Sequence, residues 1–331
     1  MTHPLGMLMS TNLIVPFHEI PSVEWFTGAL DALARFYRFV SLADVVACLR
    51  GERRGNNVCH LTFDDGHSTF YSHALPVLRS RGVPATLFVS PKVIRERASY
   101  WFQDLAWLRG HVGDPAVRSV MAGTVNCAAE DLERFDLFSI CATLDIESIR
   151  TALAAVAARH RVDPMPAPNV TLEQLREAAD GGLVTIGAHT LDHPVLANET
   201  DARAEREIRD SVTELAGLLN RPVTAFAYPN GTHGLDFGPR EQRYLRAAGV
   251  EVAVSTDHGF FNRSTDPLAL PRGGCPDLHG ERPMWTLTRL AFLPWWDRTK
   301  AALHPRRLSQ RQERQAIQAL RRSASPSRRS A

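Results

Sequence analysis

The chain has 331 residues, of which 44% are hydrophobic and 22% charged, and its formal net charge is +2. This length and apolar content can bury a barrel-sized interior as one domain. Five scattered cysteines, an odd number without metal-binding spacing, exclude a disulfide framework. The chain carries no recognisable nucleic-acid-binding module, so no specific nucleic-acid partner is expected.

The first ten residues contain no basic region followed by a sustained apolar core. We therefore expect no secretory signal and a cytoplasmic location. A short apolar strand is predicted at residues 13–16, and His18 follows it. His18 could reach a pocket at the strand end or make a structural hydrogen bond, and it is not assigned to the catalytic set.

An apolar stretch, Leu-Thr-Phe at residues 61–63, ends abruptly in Asp64, Asp65 and Gly66. It reads as a buried strand that leaves the core where two carboxylates begin. Successive strand residues point in opposite directions, so the two aspartates can differ in role, one holding a metal and the other moving a proton. The alternative is an ordinary Asp-Asp-Gly turn.

Residues 91–170 form a long insertion with runs of helical pattern. It contains an aromatic group at residues 100–102 and Trp107, and a proline-rich linker follows at residues 163–168. The aromatic residues could form a substrate wall, but they could equally anchor the insertion to the barrel.

A second strand-like stretch leads into His189 and His193, four residues apart. Imidazole nitrogens bind Zn²⁺, Co²⁺ and Ni²⁺, and a set of two histidines and one carboxylate leaves positions open for water and substrate. Two surface histidines on a loop are the alternative.

A third apolar segment runs into Tyr228, Pro229, Asn230 and Gly231. Proline fixes φ and glycine permits a sharp reversal, so the turn could aim the Tyr228 amide at a developing oxyanion while the ring forms a pocket wall. Alone, the segment would be an ordinary turn.

Short predicted strands alternate with helical patterns along the chain. This repetition indicates an α/β fold with a parallel barrel or an open parallel sheet, and the three motifs follow strand ends as active sites in such barrels do. The predicted strands are residues 13–16, 39–41, 61–63, 86–89, 184–186, 223–226 and 252–254, and the predicted helices are residues 25–35, 69–81, 145–160, 171–180, 201–219 and 239–248.

Two segments follow the predicted barrel. Residues 276–304 include the aromatic run Phe-Leu-Pro-Trp-Trp and are expected to pack on the barrel, with a peripheral membrane contact as the alternative. Residues 305–331 carry eight arginines and one glutamate, a net charge of +7. We expect this tail to be disordered and solvated without a specific partner, with attraction to phosphates or anionic lipids as the alternative.

The three motifs, in this order, resemble those of the polysaccharide deacetylase family, which are metal-dependent sugar N-deacetylases. The resemblance covers roughly residues 12–90 and 170–275. It implies a distorted (β/α)7-type barrel over residues 12–275, interrupted by the mostly helical insertion. It further implies a catalytic base, Asp64, a metal triad of Asp65, His189 and His193, and oxyanion- or substrate-binding roles for Tyr228, Pro229, Gly231 and Arg272.

The chain departs from the family pattern in two places. Ala227 stands where many members carry an arginine that contacts the catalytic aspartate, and Arg272 from the last strand is expected to replace it. The family's general-acid histidine has no counterpart after Arg272, which leaves His258 and His279 as candidates, either of which could be a surface histidine.

These residues predict hydrolysis of an N-acetyl group from a sugar or glycan. The reaction is expected to depend on a divalent metal, and the predicted site most closely suits Zn²⁺. The absent signal favours sugar precursors, including lipid-linked ones, in surface-polysaccharide biosynthesis. A carbon–nitrogen hydrolase for a non-sugar amide or imide is the first alternative, and a non-catalytic sugar-binding relative is the second.

Overall fold

The computed structural model describes residues 11–273 and 310–324. Its centre is a parallel sheet in which β1, β3, β4, β5, β6, β7 and β8 follow one another, while β2 pairs with β3. The strands are β1 (Leu13–Phe17), β2 (Arg38–Phe39), β3 (Val58–Phe63), β4 (Ala85–Val89), β5 (Val184–Ala188), β6 (Ala225–Ala227), β7 (Val252–His258) and β8 (Leu270–Arg272).

The two ends of this strand order approach each other. Directly after β8, the Gly273 amide donates to the Ile14 carbonyl of β1 at 2.7 Å. The sheet is therefore a nearly closed parallel barrel, which confirms the predicted (β/α)7-type fold.

Helices connect the strands and cover the barrel. Those of the barrel are α1 (Val23–Ala34), α2 (Leu42–Arg50), a π-helical turn (Phe70–Ala74) that continues into α3 (Leu75–Arg81), α10 (Leu172–Asp180), α11 (Asp201–Leu219) and α12 (Pro239–Ala247). Between β4 and α10 lie α4 (Pro91–Glu96), α5 (Trp101–Val112), α6 (Asp114–Val125), α7 (Ala129–Leu132), α8 (Leu137–Cys141) and α9 (Ile146–His160).

The barrel core positions the first motif. All six residues of β3 are buried, and the Phe63 ring at its end packs on Phe17, Phe26 and Phe70 with ring centroids 4.9–5.7 Å apart. Aromatic side chains bury large apolar areas and prefer such edge and offset contacts. The chain therefore leaves a rigid core immediately before Asp64.

The insertion has a hydrophobic core of its own, to which α5, α6 and α9 contribute buried residues such as Leu105, Met121 and Ile149. Ile94 of α4 instead belongs to the barrel core. The predicted helical insertion is thus a compact helical layer, and α5 is the first helix that contributes to its separate core.

The tail differs from the prediction of disorder. Residues 310–324 form a helix, α13 (Gln310–Ala324), and its Ile317 is fully buried in the insertion core. The expected packing segment, residues 276–304, lies outside the described residues. Among the described residues, no helix combines the length and apolarity needed to cross a bilayer.

Candidate active site

Three barrel strands end at the three predicted motifs. Asp64 follows β3, His189 follows β5, and Tyr228 follows β6. Because the strands are parallel, their carboxyl ends lie on the same rim of the barrel, where active sites of such barrels are built.

Asp65, His189 and His193 form a buried cluster at this rim. Asp65 Oδ1 lies 3.5 Å from Nε2 of each histidine, and the three potential ligand atoms lie within 4.8 Å of one another. Asp65 Oδ1 is buried without a hydrogen-bond partner in the described part of the chain. An unpaired carboxylate oxygen facing two imidazole nitrogens is a donor set that a divalent cation satisfies.

The environment keeps both imidazoles neutral. Burial lowers the pKa of His189 to about 4 and the pKa of His193 well below its ordinary value. His189 Nδ1 donates to the Ala227 carbonyl at 2.7 Å, which leaves the lone pair of Nε2 facing Asp65. Neutral, oriented imidazoles are the form that binds metals.

The two aspartates lie in different electrostatic surroundings. Burial and the neighbouring Asp64 carboxylate raise the pKa of Asp65, a situation that a bound cation relieves. Burial also opposes ionisation of Asp64, but the Arg272 guanidinium outweighs it and holds the pKa of Asp64 below its usual range. The two adjacent carboxyl groups therefore have pKa values shifted in opposite directions.

Arg272 supplies the contact that Ala227 cannot make. Its Nη1 lies 2.8 Å from Asp64 Oδ2, its Nε donates to the Ser255 carbonyl at 2.7 Å, and the side chain is buried. This confirms the expected contact with Asp64. Arg272 binds Asp64 and does not line the cavity described below.

Left-handed backbone conformations occur in all three motifs. The φ angles are 67° at Asp65, 62° at Thr190, 57° at His193 and 59° at Asn230. Such values are sparsely populated for non-glycine residues, above all for β-branched threonine, and cluster at functional sites. Thr190 Oγ1 accepts from the His193 amide at 3.0 Å, which stabilises the turn between the two histidines.

The structure corrects the predicted role of Tyr228. Its amide donates to the Val254 carbonyl at 3.2 Å, and its hydroxyl donates to the Leu268 carbonyl at 2.9 Å. The ring is 1% exposed and stacks on Phe237. The Tyr228 amide already donates to a backbone carbonyl, and its ring is buried in the core. Tyr228 therefore supplies neither an oxyanion donor nor a cavity wall.

Asn230, which the sequence reasoning did not assign to the site, has an unpaired side-chain donor in this turn. Its Nδ2 is buried without a partner among the described residues. Pro229 and Gly231 shape the turn around it, since Gly231 has a φ of 71° and a Cβ there would lie 2.9 Å from the Tyr228 carbonyl. An unpaired buried amide at the rim can donate to a ligand.

His18 is the second residue that the sequence reasoning left out. Its Nε2 lies 3.8 Å from Asp64 Oδ2, and the side chain is 51% exposed. His258 is exposed at the end of β7 and does not line the cavity, and His279 lies outside the described residues. The signal for His18 was its position directly after the first strand.

A cavity of about 430 Å³ opens beside the cluster. The barrel contributes one wall: His18, Glu19, Asp65 and His67. The insertion contributes the other: Phe102, Gln103, Ala106, Trp107, Met165 and Pro168. Phe102 and Trp107 of the insertion therefore line the cavity, whereas Trp101 is buried and anchors the insertion by donating from Nε1 to the His193 carbonyl at 2.9 Å.

A charge network around the buried Asp192 supports the histidine loop. Asp192, next to His193, lies 2.8 Å from Lys92, 2.6 Å from Arg150 and 2.8 Å from Arg203. Arg150 belongs to α9 of the insertion. The loop is thus held by cations from three different helices, α4, α9 and α11. The spacing of residues in the sequence did not indicate these partners.

The family model for polysaccharide deacetylase matches residues 51–253. The chain belongs to the polysaccharide deacetylase family. It is 22% identical over 240 residues to YxkH of Bacillus subtilis (strain 168), which is named for the same family, and the match covers 71% of this chain and 58% of that relative.

Two solved structures share the fold. The Streptococcus pyogenes deacetylase PplD, in complex with acetate, has a TM-score of 0.56 at 19% identity, over 85% of this chain and 97% of that one. IcaB from Ammonifex degensii has a TM-score of 0.56 at 18% identity, over 84% and 96%.

Proposed function

We propose that this protein removes the N-acetyl group of a sugar within a glycan, with a divalent metal held by Asp65, His189 and His193. The observation that carries the proposal is the convergence of these three ligands beside Asp64 at one rim of the barrel. Two imidazoles and one carboxylate suit Zn²⁺, and also Co²⁺ or Ni²⁺. Such an ion, when bound, polarises a carbonyl and lowers the pKa of a water molecule.

Asp64 acts as the base in this proposal. Arg272 holds it ionised, so it can accept a proton from the water that attacks the acetyl carbonyl. Arg272 also fixes the carboxylate in place, since the guanidinium is itself tied to Ser255. The base is therefore oriented before substrate arrives.

Two further residues complete the reaction. Asn230 Nδ2 donates a hydrogen bond to the oxyanion of the tetrahedral intermediate. His18 lies beside Asp64 on the cavity wall, and it passes the proton that Asp64 takes from the water on to the nitrogen as the carbon–nitrogen bond breaks. The products are acetate and a sugar with a free amine.

The cavity suits a pyranose. Trp107 is held rigidly, because Nε1 donates to the Asp163 carbonyl at 3.0 Å and His111 packs on the ring with centroids 4.2 Å apart. A fixed aromatic ring can stack on the apolar face of a sugar, while Glu19, His67 and Gln103 can bind hydroxyl groups.

We propose a role in surface-polysaccharide biosynthesis on N-acetylated glycans, including lipid-linked ones. The cytoplasmic location and the peripheral membrane contact stay predictions from the sequence.

Acetate release from N-acetylated oligosaccharides by the Zn²⁺-loaded protein tests the proposal, with Asp64→Asn as the inactive control. We expect release that a chelator abolishes and added Zn²⁺ restores. Release from non-sugar amides alone would favour the related carbon–nitrogen hydrolase. No turnover of any amide at full metal content would favour the non-catalytic relative.

A further inference from the structure

Two hydrogen bonds between Asp236 and Thr232 close the loop that follows Asn230. Asp236 Oδ2 accepts from the Thr232 amide at 2.9 Å, and the Asp236 amide donates to the Thr232 carbonyl at 2.8 Å. On the opposite side, Thr256 of β7 donates from Oγ1 to the Asn230 carbonyl at 2.5 Å, and its amide donates to the Gly231 carbonyl at 2.8 Å. Residues 230–232 are therefore fixed between Asp236 and β7.

Asp236 is almost completely buried, and burial raises its pKa. A buried carboxylate is stable as an anion only with a partner charge and hydrogen bonds. The partner is Arg314 of α13, whose Nη1 donates to Asp236 Oδ1 and whose side chain is 4% exposed. The charge that holds the loop in place thus comes from the far end of the chain.

The helix α13 is itself anchored on the insertion. Ile317 is buried in the insertion core, Ser139 Oγ donates to Glu313 Oε2 at 2.6 Å, and Arg321 donates to the Thr143 carbonyl. Three contacts therefore fix the helix to the α8 region, and Arg314 extends from it to the barrel loop.

We propose that Arg314 is a positioning residue, which acts through Asp236 to hold Asn230 at the rim of the active site. On this proposal, α13 is part of the catalytic unit although it lies beyond the residues that the family model matches, 51–253. The activity part of the proposal rests on the proposed function, whereas the structural link does not.

The test compares Arg314→Ala with Arg311→Ala, a change at an exposed arginine of the same helix. Two readouts are used: kcat and KM for acetate release, and hydrogen exchange of the peptide that contains the Thr232 amide. For Arg314→Ala we expect kcat to fall about 10-fold or more, KM to stay within about threefold, bound Zn²⁺ to be unchanged, and exchange to rise about 10-fold. Arg311→Ala should stay within about twofold throughout.

The charge-neutral pair Asp236→Asn with Arg314→Gln provides the rescue. It leaves no lone charge buried, and an asparagine oxygen can still accept from the Thr232 amide, so kcat and protection should return to within about threefold of the parent protein. If Arg314→Ala does not fold, kcat and hydrogen exchange of this double variant test the proposal instead.

Parent-like kcat and exchange in Arg314→Ala would overturn the proposal, as would a folded pair variant in which both stay as impaired as in Arg314→Ala. If the parent protein releases no acetate but Arg314→Ala still frees the Thr232 amide, the proposed function fails while the link between α13 and the loop stands.

Discussion

The barrel rim and the insertion build the site in different ways. The rim supplies the groups that react in the proposed function from residues directly after strands, as with Asp64 after β3 and His189 after β5. The insertion supplies no ligand, but it holds the ligand loop through Trp101 and Arg150 and walls the cavity with Trp107. On the proposed function, the chemistry is thus local to strand ends, whereas positioning and substrate contact come from distant segments.

The largest effects should come from the rim. His189→Ala should lose both bound metal and activity, whereas Asp64→Asn should keep the metal and lose activity by about 10³-fold or more, because only the base is removed. Metal analysis beside acetate release measures the split. A fully active Asp64→Asn would remove Asp64 from the role of base.

A smaller but still large effect is expected at His18. His18→Ala should lower kcat about 10²-fold or more, since the leaving nitrogen loses its proton donor, with bound metal unchanged. His258→Ala is the matched control and should leave kcat within about twofold, because His258 is exposed and outside the cavity lining. The reverse ranking would restore His258 as the acid.

Removing a contact that the insertion makes with the histidine loop should have a smaller effect. Arg150→Ala removes one of three cations around Asp192, so we expect Zn²⁺ affinity to fall about 10-fold, as for other groups that orient metal ligands. Competition with a chromogenic chelator measures the affinity. Arg159→Ala, an exposed arginine of the same α9, serves as control, and equal affinities for the two variants would contradict a positioning role.

The smallest effect is expected at the cavity wall. Trp107→Ala should raise KM for an N-acetylated oligosaccharide about 3–10-fold with little change in kcat, because the change removes stacking and not chemistry. Trp107→Phe keeps an aromatic face and should recover part of the loss. Steady-state kinetics on both variants measure the effect, and an unchanged KM in Trp107→Ala would show that the wall does not bind substrate.

The sequence predicted most of the barrel, because buried strands and amphipathic helices carry their own periodicity; α11 was predicted over residues 201–219, as observed. It also predicted that Asp65, His189 and His193 converge, because the loops that carry them follow the ends of β3 and β5. Asn230 was missed in favour of Tyr228, since only the geometry of the turn decides which residue is drawn into the core.

Contacts between distant segments could not be read from the sequence. Arg314 and Asp236 are 78 residues apart, and the arginine-rich composition of α13 is typical of a solvated tail. Its order depends on an apolar surface that exists only once the insertion has folded. Tertiary packing therefore overrides the local composition there.

The most direct test of the central claim is a crystal structure of the Zn²⁺-loaded protein with anomalous diffraction measured at the zinc edge. We predict one strong peak at the barrel rim, about 2.0–2.2 Å from an Asp65 oxygen and from Nε2 of His189 and His193. A peak bound elsewhere, or no peak at these three residues at full zinc content, would contradict the account.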